Sequence, residues 1–265
     1  MKLVLLAFVL ASSLLMARPA AAAGESVFME DMTWTDVRDA IAAGRTTVIV
    51  PVGGTEQSGP HMALGKHNVR AHVLAGRIAA QLGNALVAPV VAYVPEGPVD
   101  APAGHMKYPG TITVSADAFR SVLESAARSF RRAGFRDVVL IGDHGGYQSE
   151  LAAVAARLNR EWAATPVRVH FIAEYYRAGV EPFAQALREH GLSDAQIGLH
   201  AGAADTSLML AVDPRLVRAD RLDAAPVAGD GTAGDPRPST AALGQLGVDL
   251  IVARSVNAIR RAVVR

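Results

Sequence analysis

Two short apolar runs, each stopping at clustered glycines, constrain this chain more than any other feature. Residues 46–52 read Thr-Thr-Val-Ile-Val-Pro-Val and end in Gly53-Gly54. Residues 137–141 read Asp-Val-Val-Leu-Ile and end in Gly142-Asp143-His144-Gly145-Gly146. A β-branched run without polar alternation marks a strand covered on both faces, which is how parallel sheets are built. Helical spacing recurs at 33–43, 69–82, 116–133, 148–164 and 241–263, and two more strand-like runs lie at 85–94 and 167–172. Strands alternating with helices predict a single α/β domain over residues 30–263, with a mostly parallel sheet and helices on both faces. Ligands of such sheets bind beyond the carboxyl ends of the strands, so the polar loops after Val52 and Ile141 should open on one edge.

Charge removes some functions. The 26 Lys and Arg side chains nearly cancel the 25 Asp and Glu, so nothing draws the protein electrostatically onto nucleic acid or anionic lipid. A small-molecule partner is the expectation. Residues 1–23 have the plan of a secretory signal peptide: Lys2, a largely apolar stretch to residue 17, and the small residues Ala20 to Ala23. The expected location is therefore periplasmic or secreted. No later segment reads as apolar enough to span a membrane, so no membrane association is expected once the leader is removed. The chain has no cysteine, which leaves imidazole and carboxylate to hold any metal.

Three segments carry groups of that kind. The loop after the first run holds Glu56, His61 and His67, a carboxylate and imidazoles that can converge on zinc, manganese or iron; the same residues also suit a helix cap and surface histidines. His144 follows the second run and faces the same edge, or else sits satisfied in a tight turn. Asp205-Thr206-Ser207 precedes an apolar helical run, where an aspartate serves equally as N-cap or ligand. Ser58 suggests a serine nucleophile, but its frame Thr55-Glu56-Gln57-Ser58-Gly59 lacks the first glycine of the nucleophile elbow.

Taken together these segments resemble the creatininase (creatinine amidohydrolase) family. Its hallmark Glu-x-His-Gly-x-His-Leu-Pro-Leu-x-Thr-Asp aligns with residues 56–67, and Phe-Pro-Gly-Thr with 108–111. Asn-x-His-Gly-Gly-Asn aligns with 142–147, His-Ala-Gly-x-x-Glu-Thr-Ser with 200–207, and a C-terminal Gly-x-Pro loop with Gly234-Asp235-Pro236. The resemblance implies a creatininase-like α/β fold, assembly as a homohexamer, and hydrolysis of cyclic amides or formamides at two divalent ions bridged by the aspartate of Thr-Asp. It carries metal-ligand roles to Glu56 and His144 unchanged, and to Asp205 as a shorter substitute for glutamate. It carries an acid or base role to His200.

Two departures modify this. Ser58 stands where the family has a metal-binding histidine, and His67 stands at the bridging aspartate. An imidazole nitrogen has one lone pair and cannot bridge two ions. The expectation is therefore one divalent ion, zinc, manganese or iron, on Glu56, His67, His144 and Asp205. His200 and Glu56 are the expected catalytic groups, with Asp205 as another proton acceptor. Ser58, His61 and His105 are expected to support ligands or touch substrate, and Lys66 to bind a substrate carboxylate or an oxyanion. The expected function is a metal-dependent hydrolase acting on the C–N bond of a small cyclic amide or lactam, or on a lactone. The alternative is a non-catalytic binder of metal or metabolite outside the cytoplasm, derived from the same fold. Specificity is expected from loops at 93–106 and 175–184.

Overall fold

Helix α1 (Trp34–Ala42) starts where the sequence supplies a reciprocal cap. Thr33 Oγ1 accepts from the Asp36 N–H, while the Asp36 carboxylate accepts from the Thr33 N–H. The computed structural model describes residues 26–264, so the expected leader at 1–23 lies outside the described residues. After α1 the chain alternates: β1 (Thr47–Val52), α2 (Lys66–Leu82), β2 (Ala85–Val87), α3 (Ala116–Ala133), β3 (Asp137–Gly142), α4 (Gln148–Glu161) and β4 (Arg168–Phe171). Helices α5 (Ala173–Ala178), α6 (Glu181–Glu189), α7 (Asp194–Ile197), α8 (Ala203–Val212) and α9 (Ala241–Val263) complete it.

The four strands are parallel in the order β2-β1-β3-β4. Successive side chains face opposite sides, as a pleat requires. Ile49, Val139 and Ile141 pack among residues of α2, α5, α6, α8 and α9. Val48, Val50, Val138 and Leu140 pack among residues of α1, α3 and α4. This is the expected single α/β domain. β1 leaves through α2 on one face and β3 leaves through α4 on the other, so the chain diverges between the ends of the two central strands. Doubly wound sheets leave a ligand crevice at that switch point.

Three expectations are corrected. The 85–94 strand pairs regularly only to Val87, because Pro89 has no N–H to give; beyond it Val91 N–H still reaches the Pro51 carbonyl. Helix α2 begins at Lys66 rather than 69, which places Lys66 and His67 on its first turn. Finally, α9 is the one helix among the described residues with the length and composition to cross a bilayer, although none was expected. Half of its most apolar stretch is buried inside the fold, which accounts for its apolar character.

Helix α9 approaches α8 at Gly244, where a Cβ would lie 1.8 Å from the Ser207 carbonyl oxygen. Gly244→Ala should therefore cost about 2–3 kcal/mol through overpacking. Gly83→Ala, at φ +79° with nothing within 4 Å, should cost about 1 kcal/mol from backbone strain alone. Urea unfolding of both variants checks this, and equal losses would contradict the close helix contact.

Candidate metal centre

The loop leaving β1 is shaped by Gly53 and Gly54. A Cβ on Gly53 would lie 2.2 Å from Asn68 Oδ1, the atom that accepts the Gly54 N–H at 2.9 Å. That close approach delivers Glu56 to the crevice, with its side chain fully buried. Four imidazoles and one ammonium surround its carboxylate. His67 Nε2 lies 2.8 Å and His200 Nδ1 3.7 Å from Oε1, and His105 Nε2 lies 3.3 Å and His144 Nε2 3.4 Å from Oε2. Lys66 Nζ is 3.6 Å from Oε1.

Two groups can each offer one ligand atom within 4.8 Å of the others: Glu56 with His67 and His144, and Glu56 with His105 and His200. Behind the first group runs a buried ionic chain. His67 Nδ1–H donates to Asp143 Oδ1 at 2.5 Å, Arg70 reaches the same oxygen at 2.7 Å, and the Tyr175 hydroxyl donates to Asp143 Oδ2 at 2.7 Å. Arg70 also reaches Asp205 Oδ1 at 3.0 Å, and Lys66 Nζ reaches Asp205 Oδ2 at 2.8 Å. Tyr147 joins the two strand ends: its hydroxyl accepts the Asp143 and His144 N–H groups and turns its one proton to the Gly53 carbonyl at 2.5 Å, with the Val52 carbonyl at 2.8 Å alongside.

The four-residue ligand set expected from sequence is not the set the structure assembles. Glu56, His67 and His144 come together, but Asp205 is the counter-ion of Lys66 and Arg70 and accepts the Ala201 N–H at 3.0 Å. Two buried cations need that carboxylate, since stranding them away from water would cost several kcal/mol each. The α8 N-cap is Gly202, with Asp205 in the helix's first turn. Lys66, expected at the substrate, borders the cavity, but its side chain is fully buried and its ammonium is held by Asp205 and Glu56. His61 lies behind the site against the Thr206 hydroxyl at 3.0 Å, and Ser58 is buried with its Oγ unpartnered; neither lines the cavity. His105, His144 and His200 do line it. The segment 175–184, expected as a loop, is mostly helical, and Tyr175 and Tyr176 of α5 line the cavity. Gln57, Arg70, Glu96, Asp143 and Tyr175 were not marked by the sequence as site residues. Of these only Arg70 left a signal, as a basic residue four positions after Lys66.

Burial pushes His144 and His200 down to about 4, with His67 beside the first and Lys66 beside the second adding to the effect. Both are neutral at physiological pH. Burial would raise the Glu56 carboxyl, but His67, Lys66 and His144 outweigh it and hold the group well below the usual carboxylate range.

The sequence model of creatinine amidohydrolase matches residues 30–259. The creatinine amidohydrolase of Pseudomonas putida is 29% identical over 204 residues, covering 75% of this chain and 76% of that protein. The mycofactocin precursor peptide peptidase of Mycolicibacterium smegmatis is 31% identical over 221 residues, covering 75% and 78%. A solved creatininase variant of Zn-Zn type superposes with a TM-score of 0.73 at 26% identity, covering 90% of this chain and 98% of that one.

Glu96 gives the site a second buried carboxyl. No donor among the described residues reaches its oxygens, Oε1 is 3.7 Å from His144 Nδ1, and in its protonated form it can donate to the Glu56 carboxylate. Burial, then the negative charge of Glu56, push it up to about 8. A carboxyl raised in the folded state contributes its stability fully below the unfolded value of about 4.3 and loses it as pH climbs through the folded value. Metal-free protein should accordingly lose stability between those limits. Glu96→Gln should remove the loss, being more stable than the parent by on the order of 2 kcal/mol at pH 8 and no more stable at pH 4. Thermal unfolding of metal-free samples across that range checks it.

Proposed function

The chain belongs to the creatininase family, and on that premise we propose that it hydrolyses the C–N bond of a small amide, foremost a cyclic amide or lactam, with one divalent ion on Glu56, His67 and His144. The observation that carries this reading is the contact between His67 and Glu56. His67 Nδ1–H is held by Asp143, and Nε2 faces Glu56 Oε1 at 2.8 Å. That contact needs a cation between the two atoms, either a second ring proton or a divalent ion that replaces it. The carboxylate behind the imidazole fixes the tautomer and strengthens the donor, the usual support of a metal-bound histidine. Glu56 Oε2 is buried between His144 Nε2 at 3.4 Å and His105 Nε2 at 3.3 Å, so the carboxylate can offer one oxygen to an ion shared with His67 and His144. A mixed nitrogen and oxygen set suits zinc, manganese or iron(II).

Such an ion, when bound, supplies a water acidic enough to ionise near neutrality and a Lewis acid for the amide carbonyl. The remaining work falls to the chain. His200, neutral and with Nδ1 towards Glu56, takes the proton released when water attacks and passes it to the departing nitrogen. Arg70, Asp143 and Tyr175 lock His67 in place. The cavity over these groups, lined also by Tyr176 and Leu199, measures about 660 Å³. That lies within the roughly 300–1,000 Å³ of small-molecule sites and exceeds the needs of one five-membered ring, leaving room for a substituted ring or the end of a peptide. We further propose that the enzyme acts outside the cytoplasm, on the support of the leader-like residues 1–23.

Elemental analysis of loaded protein should find one ion per chain. His67→Ala and His144→Ala should lose both ion and activity. His200→Ala should keep the ion while kcat falls by about 10²–10⁴. Loaded protein inert on a panel of lactams, linear amides, lactones and short peptides would overturn the hydrolase reading and favour a binding protein.

A further inference from the structure

Gln57 sits between Glu56 and Ser58 with its side chain buried, and it takes no part in the hydrolysis proposed for the site. Its carboxamide is tightly seated. Gly231 stands at φ +89°, and a Cβ there would lie 2.0 Å from Gln57 Oε1. The amide orientation is set by backbone partners: Oε1 accepts the Gly59 N–H at 2.9 Å, and Nε2 donates to the Gly231 carbonyl at 3.1 Å. Flipping it would put oxygen against oxygen at one end and hydrogen against hydrogen at the other.

With Nε2 fixed as a donor, its second hydrogen goes to His105 Nδ1 at 2.9 Å. His105 Nδ1 must therefore be bare, and the ring's single proton is on Nε2, the atom 3.3 Å from Glu56 Oε2. The same residue acts on His200 through its main chain. The Gln57 carbonyl is an acceptor only and lies 2.9 Å from His200 Nε2, so that nitrogen carries the proton and Nδ1 keeps its lone pair towards Glu56. The 3.2 Å approach of Gln57 Nε2 to His200 Nε2 is then a contact between two N–H groups whose hydrogens point elsewhere.

We infer that Gln57 is a positioning residue that sets the tautomers of His105 and His200 together, and so decides which of the two groups around Glu56 takes an ion. His67, held through Nδ1–H by Asp143, can turn its Nε2 lone pair to an ion beside Glu56, whereas His105 presents a hydrogen fixed by Gln57 and cannot ligate. The His105 and His200 half stays free of metal and is left as a proton donor beside a proton acceptor. The tautomers follow from hydrogen bonds alone; only the use made of His200 rests on the hydrolase reading.

The test uses full-length protein and needs no substrate. Histidine ¹⁵N NMR of metal-free protein should show Nε2 protonated and Nδ1 bare in both His105 and His200, and zinc titration should stop at about one ion per chain. In Gln57→Glu the side chain has no hydrogen to give, so His105 should move its proton to Nδ1 while His200 does not change. The freed Nε2 should then admit a second zinc. Gln57→Met should leave His105 a mixture of tautomers. A proton on His105 Nδ1 in the parent protein overturns the inference whether or not either variant folds. So does a His105 tautomer that is unchanged in both variants. Failure of the hydrolase reading is seen separately, as correct tautomers and one zinc with no turnover on any amide.

Discussion

An ionised carboxylate removed from water has to be surrounded by compensating charge or hydrogen bonds, at a desolvation cost of several kcal/mol. Glu56 meets that condition at the end of β1, and much of the molecule is arranged around it. Lys66 supplies one cation from the first turn of α2, an unfavourable end of a helix for positive charge. Asp205, from the first turn of α8, offsets both that dipole and Lys66 itself. Arg70, one turn further along α2, ties Asp205 to Asp143 at the end of β3, and Asp143 in turn fixes His67 beside Glu56. The chain of charges thus joins β1, α2, β3 and α8, and through the Tyr175 hydroxyl it reaches α5.

This arrangement divides the crevice into two halves that share one carboxylate. On one side His67 and His144 present nitrogen to Glu56, with charged supports behind His67. On the other side His105 and His200 are held by uncharged groups, the amide and carbonyl of Gln57. Charged support raises the donor strength of an imidazole, while neutral support leaves its proton affinity low. The difference suits the first half to an ion and the second to proton transfer.

How much of this could be read in advance follows from the length scale of each signal. The buried runs at 46–52 and 137–141 are local patterns, and they fixed the sheet, its covered faces and the edge that holds the site. Glu56, His67 and His144 were legible because they sit on the loops or helix start that those runs deliver. The family resemblance carries a ligand role to Asp205 in place of glutamate, and neither a motif nor a spacing shows which buried cations will claim its carboxylate. Lys66 and Arg70 claim it only once α2 and α8 are packed together. Glu96 gave no signal at all: a single acidic residue in a Pro- and Gly-rich segment becomes informative only when its burial is known. The short helices α5 to α7 were missed because one or two turns carry too little periodicity to separate from a loop.

Anomalous diffraction at the zinc edge from crystals of the zinc-loaded protein should reveal a one-ion centre: one peak per chain, within bonding distance of Glu56, His67 and His144, with Asp205 still on Lys66 and Arg70. A second peak beside His105 and His200, or an ion drawn to Asp205 with Lys66 displaced, would contradict it.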